Sequence, residues 1–328
     1  MTALSDADGT LWRPLQDRNV VADLYKLCTN YSENDVCNWA IPSADTESLC
    51  HSCRLTHTIP NLAAPGSKAA WAKLEAAKRR MVYALLRLTL PVNGKALEPQ
   101  SGLEFRFLSD STSSFGDQSR VLTGHDNGLI TINVAEADDI YRETQRQQHH
   151  EPYRTLLGHF RHEIGHYYWD RLIAGSSRLA EFRRLFGDEC ADYQTALAIH
   201  YNQEPPANWA DNFISAYATT HPWEDWAESW AHVMHMIDAI ETAHFIGMSV
   251  RPARSDDPAL EDPTEPTRGV VGDFDHLIEE WKTLTYVLNN LTRGLGLADA
   301  YPFVLSTAIV DKLRFVCNTI TKPPPSLS

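Results

Sequence analysis

The sequence His-Glu-Ile-Gly-His at residues 162–166 decides the fold of this chain. It lies within a run of apolar residues over 153–168 whose spacing of three and four predicts a helix. On a helix, His162 and His166 point from the same face, and two imidazoles so placed can bind one Zn²⁺. Glu163 lies about 100° around that helix from His162. From there its carboxylate can take a proton from a water molecule beside the metal.

The predicted zinc site needs one more protein ligand, because a catalytic zinc usually has three and keeps a position open for water. No histidine follows His166 at six residues, so a downstream carboxylate is expected. Glu224 and Glu228 are four residues apart and share a helix face. One of them can bind the zinc while the other orients a zinc-bound imidazole. The helix dipole favours an acidic first turn and could explain Glu224, but it does not explain Glu228 among its apolar neighbours.

Four of the six cysteines form a second candidate metal site. Cys28, Cys37, Cys50 and Cys53 lie within one short segment and supply the four thiolates of a closed tetrahedral zinc site. Only the second pair has the tight Cys-x-x-Cys spacing. We therefore predict a structural zinc in a small N-terminal ribbon. The expected cofactors are one catalytic and one structural Zn²⁺.

Composition and charge narrow the class of protein. The 328 residues carry a formal net charge of −14, which disfavours binding to nucleic acid and counts against a DNA-associated protease with a zinc ribbon. Residues 1–14 lack the basic and apolar regions of a secretory signal, and no apolar run is long enough to cross a bilayer. We expect a cytoplasmic protein that acts on a peptide or protein and binds neither nucleic acid nor membrane. The sequence does not indicate an oligomeric state.

The remaining pattern predicts a short β-rich part followed by helices. A helix is expected from Ser67 to about 88, a strand over 103–108, and a hairpin whose strands, 121–123 and 129–134, flank a turn. Residues 251–268, with four prolines, are expected to form an exposed loop. Further helices are predicted near 152–173, 178–186, 189–202, 208–220, 223–246, 274–292 and 303–320.

Several longer motifs carry a resemblance to a known family. They are Cys-Asn-Trp (37–39), Cys-x-x-Cys-Arg-Leu (50–55), Ile-Pro-Asn-Leu (59–62), Leu-Glu-Ala-Ala-Lys-Arg-Arg (74–80), Thr-Gly-His-Asp-Asn-Gly-Leu-Ile-Thr-Ile-Asn (123–133) and His-Pro-Trp-Glu-Asp-Trp-Ala-Glu (221–228). In these motifs the chain resembles the bacterial family called putative zinc-binding metallopeptidases. The resemblance implies kinship with zinc peptidases and strengthens the interpretation of the four cysteines as a zinc site.

A more distant resemblance implies roles for individual residues. The order Tyr217, Glu224, Glu228 downstream of His-Glu-x-Gly-His is similar to the anthrax lethal factor group of gluzincins. That resemblance implies Glu224 as the third zinc ligand, Glu228 as the brace of a zinc-bound histidine, and Tyr217 as a donor to the oxyanion. A core-packing role for Tyr217 remains the alternative.

These observations together predict an α+β, mainly helical protein. We expect a zinc-ribbon-like module with four cysteine ligands over 20–62 and a zincin-like metallopeptidase domain of the gluzincin type over 67–320. The strand 129–134 is expected to be a sheet edge that pairs with the backbone of an extended substrate. The expected activity is zinc-dependent peptide hydrolysis. The alternative is a catalytically idle zinc-binding protein whose ribbon makes the working interaction.

Overall fold

The computed structural model describes residues 2–3, 11–13, 24–112, 118–119, 121–149, 155–250 and 273–322. The chain forms two compact units. One consists of the described residues up to 83 together with 92–143, and the other of 84–91 together with those from 144 onward. The predicted exposed loop at 251–268 lies outside the described residues. The predicted division between residues 62 and 67 stays a prediction.

The first unit contains two four-stranded sheets and one long helix. The N-terminal sheet is antiparallel and joins its strands in chain order: β1 (Thr2–Ala3), β2 (Trp12–Arg13), β3 (Tyr25–Leu27) and β4 (Ala40–Pro42). The second sheet has the order β5 (Thr56–Thr58), β6 (Glu104–Leu108), β10 (Leu129–Asn133) and β9 (Gly124–Asp126). The other elements are α1 (Thr29–Ser32), α2 (His51–Arg54), α3 (Ser67–Arg87), the strand pair β7 (Ser111–Thr112) and β8 (Gln118–Ser119), and α4 (Asp139–His149).

The hairpin near residue 127 corrects one prediction. β9 pairs antiparallel with β10, and β6 pairs with β10 in parallel on its other side. Asn127 and Gly128 form the two-residue turn, with φ of 47° and 81°, and this left-handed backbone suits a tight hairpin. Because the turn folds Gly124–Asp126 onto Leu129–Thr131, the predicted first strand begins three residues too early. The prediction that 129–134 is a sheet edge is wrong, since β10 is paired on both sides and lies between β6 and β9.

The second unit is helical. Its long elements are α5 (Leu156–Leu172), α6 (Leu179–Phe186), α7 (Tyr193–Asn202), α8 (Pro222–Phe245), α9 (Phe274–Gly294) and α10 (Thr307–Thr321). The predicted helix over 208–220 is wrong, because only two three-residue 3-10 turns form there, at Trp209–Asp211 and Tyr217–Thr219. In that segment the hydroxyl of Ser215 accepts a hydrogen bond from the backbone N–H of Ala218, which competes with helical pairing. Within the described residues, no helix is both long enough and apolar enough to cross a membrane.

The pair α5 and α8 forms the centre of this unit. Gly165 makes the close approach possible, since a Cβ there would lie 3.1 Å from the Cα of Ala227 and 3.2 Å from the Trp230 side chain. The indole N–H of Trp226 donates to the Gly165 carbonyl at 2.8 Å. Tyr168 stacks on Trp230 with ring centroids 4.9 Å apart. These contacts fix the position of α5 relative to α8 along the helix axes.

Candidate metal centres

The first candidate centre lies between α5 and α8. His162 and His166 lie one turn apart on α5, and Glu224 lies in the first turn of α8. The Nε2 atom of His162 is 2.9 Å from Oε2 of Glu224, and the Nε2 atom of His166 is 3.4 Å from that same oxygen. The two Nε2 atoms are 3.2 Å apart. Three potential ligand atoms from the two helices therefore meet at one point.

The spacing of these atoms fits a zinc ion. Tetrahedral bonds of 2.0–2.1 Å place neighbouring donor atoms about 3.3 Å apart. The three observed separations bracket that value. Nitrogen and carboxylate donors without a thiolate are also the ligand types of catalytic zinc sites. The residues present thus suit Zn²⁺ with three protein ligands.

The start of α8 is built to place Glu224. His221 is the N-cap, and its Nδ1 accepts the backbone N–H of Trp223 at 3.2 Å. Pro222 follows at the first helical position, where its missing N–H costs nothing. The other ring nitrogen of His221 lies 3.0 Å from the carbonyl of Ala191. The cap therefore fixes both the first residue of α8 and the direction of Glu224.

Glu228 orients His162 from one turn further along α8. Its Oε1 lies 2.7 Å from Nδ1 of His162, and its Oε2 accepts a hydrogen bond from the Ser215 hydroxyl at 2.7 Å. With Nδ1 as the donor to Glu228, Nε2 of His162 keeps its lone pair for a metal. Glu224 thus faces the Nε2 atoms of both histidines, while Glu228 lies on the Nδ1 side of His162.

The electric field at this centre favours a cation. Burial alone would lower the pKa of His162, but Glu224 and Glu228 outweigh it and raise that pKa well above its usual value. Burial alone would raise the pKa of Glu224, but the two histidines hold it well below its usual value. Carboxylates that attract a proton to His162 attract a metal ion for the same reason.

Tyr217 and Glu163 lie at the same centre. The Tyr217 ring is 5.8 Å from the His162 ring, centroid to centroid. Burial, then the charge of Glu224, raises the pKa of Tyr217 well above 10, so its hydroxyl stays protonated and can donate. Glu163 is buried next to His162 in α5, and its charge contributes to the same rise. The structure therefore brings together every residue predicted for the catalytic site.

Sequence reasoning did not identify several polar residues in and around this centre. Tyr193, at the start of α7, donates its hydroxyl to Oε1 of Glu224 at 2.7 Å. Arg161 is 2% exposed, and its guanidinium lies 2.5 Å from Oδ2 of Asp238 and against the ring of His235. Arg161 directly precedes His162, and its position inside an apolar helical pattern is the one signal that the sequence offered. The ion pair ties α5 to α8 beside the ligands.

The second candidate centre consists of Cys28, Cys37, Cys50 and Cys53 and is called the four-cysteine centre below. All four side chains are buried, and Sγ of Cys37 lies 3.7 Å from Sγ of both Cys50 and Cys53. Tetrahedral bonds of 2.3 Å to zinc require sulfur atoms about 3.8 Å apart. Backbone N–H groups of Trp39 and Cys50 donate to Sγ of Cys37 and Cys28 at 3.4 and 3.3 Å. The cluster fits a closed site with four thiolates.

Three charged residues of α3 surround this cluster. Glu75 and Lys78 are fully buried and 2.9 Å apart, and Oε2 of Glu75 lies 4.0 Å from Sγ of Cys53. The guanidinium of Arg79 donates to the Val36 carbonyl at 2.6 Å and to Oδ1 of Asn38 at 3.1 Å. The motif at 74–80 therefore anchors the loop that carries Cys37. Lys78 and Arg79 both pair with Glu75, at 2.9 and 3.9 Å, so the buried carboxylate beside Cys53 has cationic partners.

Comparison with known proteins relates both centres to sequence families. An uncharacterized protein of Mycobacterium bovis and uncharacterized proteins of two Mycobacterium tuberculosis strains are each 44% identical to this chain over 301 residues. The match covers 92% of this chain and 84% of each relative. No solved structure matches the chain, so the resemblance to the anthrax lethal factor group stays a prediction.

Two family models match separate parts of the sequence, and each part contains one of the two candidate metal centres. Residues 1–64, which contain the four clustered cysteines, match a zinc-ribbon domain. Residues 67–319, which contain His162, His166 and Glu224, match the family described as "Putative zinc-binding metallo-peptidase". That second match spans most of the chain. The chain belongs to this zinc-binding metallopeptidase family.

Proposed function

We propose that this protein is a zinc-dependent peptidase of the gluzincin type, with a peptide or protein as its substrate. The catalytic zinc would be held by His162, His166 and Glu224, and a structural zinc by the four clustered cysteines. The observation that carries the proposal is the meeting of three donor atoms from α5 and α8 at separations of 2.9–3.4 Å. In the proposed division, the four-cysteine module covers 20–62 and the peptidase domain 67–320.

The residues of the chain supply the proton transfers and the orientation. A bound zinc ion contributes Lewis acidity, which polarises the scissile carbonyl and acidifies water. The Glu163 carboxylate accepts a proton from the attacking water and delivers it to the nitrogen of the leaving amine. Glu228 holds His162 through Nδ1 and so keeps Nε2 directed into the site.

Tyr217 completes the proposed machinery. Its protonated hydroxyl donates a hydrogen bond to the oxyanion that develops on the substrate carbonyl. The position of its ring against that of His162 supports this role. The half-buried setting of Tyr217 supports it too, since a hydrogen bond is stronger where part of the surrounding water is excluded.

The proposal is tested by Glu163→Gln, measured on a quenched-fluorescence peptide library and on unfolded proteins. We expect turnover to fall by at least about 10²–10⁴-fold, because the proton acceptor is lost. Zinc content should stay at the wild-type value, since Glu163 is no ligand. Glu181→Gln, on the exposed side of α6, is the matched control and should leave turnover unchanged. Turnover that survives Glu163→Gln contradicts the mechanism.

The same assay addresses the catalytically idle alternative. Wild-type activity should disappear with a chelator and return with added Zn²⁺. Wild-type protein that carries zinc at both centres and cleaves nothing in the library would overturn the proposed activity. The alternative, a catalytically inactive zinc-binding protein that interacts through its zinc ribbon, would then be favoured.

A further inference from the structure

Tyr193 occupies an unexpected position at the candidate zinc centre. Its hydroxyl donates to Oε1 of Glu224 at 2.7 Å. The other oxygen of that carboxylate, Oε2, faces the Nε2 atoms of His162 and His166. The two oxygens of Glu224 therefore have separate tasks, since one is engaged by a phenol and the other is directed at the metal position.

The tyrosine ring is held by the same turn of helix that carries Glu224. Its centroid lies 5.3 Å from that of the His221 ring and 6.2 Å from that of Trp223. His221 is the N-cap of α8, and Glu224 follows three residues later. Tyr193 and its acceptor are thus attached to one structural feature, and the hydrogen bond does not depend on a distant contact.

One face of α7 lies towards the centre. The other six positions of this helix are exposed. Its half-buried residues share one helical face, and they are Tyr193, Ala196, Leu197 and His200. The His200 ring lies 5.5 Å from that of Tyr217, which in turn contacts His162. Tyr193 at the start of this face and His200 near its end therefore both lie beside residues of the centre.

We propose that Tyr193 is a positioning residue that restricts Glu224 to a single-oxygen zinc ligand and thereby keeps the substrate position open. The inference rests on the proposed function of the centre. A carboxylate with one oxygen held by a hydroxyl offers only the other to a metal. Without that hydroxyl both oxygens are free, and the second can occupy the position that water and the substrate carbonyl require.

The test is Tyr193→Phe, which removes one oxygen atom and keeps the ring. We expect zinc affinity at the His162/His166/Glu224 centre, measured by chelator competition, to fall about 10–100-fold, because the freed carboxylate is no longer held in the orientation that meets both imidazoles. Affinity at the four-cysteine centre should not change. Tyr286→Phe, on the partly exposed face of α9, is the matched control and should bind both zinc ions as wild type does. Equal affinity in Tyr193→Phe and wild type would overturn the proposal.

Cobalt spectroscopy separates positioning from a general structural effect. Co²⁺ absorbs more weakly in the visible range as its coordination number rises, so its spectrum reports whether Glu224 binds through one oxygen or two. The contribution of the four-cysteine centre is removed by subtracting the spectrum of Glu224→Ala. We expect weaker absorption in Tyr193→Phe than in wild type. A reduced affinity with an unchanged cobalt spectrum would contradict the positioning role and leave only a structural one.

The outcome also distinguishes this inference from the proposed function. If wild type binds no metal at His162, His166 and Glu224, the proposed function fails, and the inference fails with it. If wild type binds metal there and cleaves peptides while Tyr193→Phe matches it in both readouts, only the inference fails.

Discussion

The two candidate metal centres of this protein are built in opposite ways. The four-cysteine centre draws its ligands from residues 28–53, a short stretch that contains the single-turn helices α1 and α2 and the strand β4. The other centre joins His162 to Glu224, which are far apart in sequence and lie on two long helices. The first is held together by local chain geometry, and the second by the packing of α5 against α8.

Exposure separates the centres as well. The four cysteines are at most 6% exposed and pack with Ile41, Trp39 and Leu49. The His166 side chain is 18% exposed. A closed thiolate site contributes to folding, and a three-ligand site with an accessible side is suited to chemistry. We therefore expect that loss of metal from the four-cysteine centre lowers the stability of the fold. Loss of metal from the His162/His166/Glu224 centre should lower activity.

The largest expected effect comes from breaking the four-cysteine centre. Cys50→Ser should remove its zinc and unfold residues 24–62, because metal binding of this kind contributes on the order of 10 kcal/mol to folding. Limited proteolysis and far-ultraviolet circular dichroism would detect the change. Cys190→Ser, at an exposed cysteine outside the cluster, should behave as wild type. A folded, protease-resistant Cys50→Ser protein would contradict the structural role.

A smaller effect is expected from disturbing the packing between α5 and α8. In Gly165→Ala the added methyl meets Ala227 and Trp230 at 3.1–3.2 Å, and the stack of Tyr168 on Trp230 prevents the indole from moving aside. We expect the free energy of unfolding to fall by about 1–3 kcal/mol, despite the better helix propensity of alanine. Zinc affinity at the histidine centre should fall too, because the ligand helices separate.

The matched control for this packing experiment is Gly294→Ala, at the last residue of α9. A Cβ there meets no atom within 4 Å. That variant should be neutral or slightly stabilised in urea denaturation. A Gly165→Ala protein with wild-type stability and zinc affinity would show that the close helix contact does not set the ligand geometry.

The most local of the expected effects sharpens the comparison, because it is confined to the histidine centre. Glu228→Gln keeps the shape of the side chain but removes the charge that holds Nδ1 of His162. Zinc affinity should fall about 10–100-fold, or about 1.4–2.7 kcal/mol, with no change at the four-cysteine centre. Glu279→Gln, at an exposed glutamate of α9, serves as the control. Complete loss of zinc in Glu228→Gln would instead indicate that Glu228 is a ligand.

The sequence was informative wherever one residue pattern dictates one geometry. The spacing of His162 and His166 on a helix needs no tertiary knowledge, and neither does the apolar periodicity of α3. The choice between Glu224 and Glu228 did need tertiary knowledge. Both lie on the same face of α8, and only the height of α5, set at Gly165, decides which carboxylate reaches the Nε2 atoms.

Contacts made by unremarkable residues could not be predicted. Tyr193 reaches Glu224 because the N-cap of α8 brings α7 and α8 together at His221, and nothing in the spacing of either helix shows it. The edge role assigned to 129–134 failed for a similar reason. Asn127 and Gly128 signalled the hairpin, but nothing in the sequence showed that β6 would pair in parallel with the other side of β10.

The most direct test of the two-centre assignment is the zinc content of the purified protein, measured for wild type, Glu224→Ala and Cys50→Ser. We predict two zinc ions in wild type, one for each ligand cluster, and about one in each variant. Two zinc ions retained in Glu224→Ala would contradict the assignment of the third ligand. Wild-type protein that holds no zinc would contradict both centres at once.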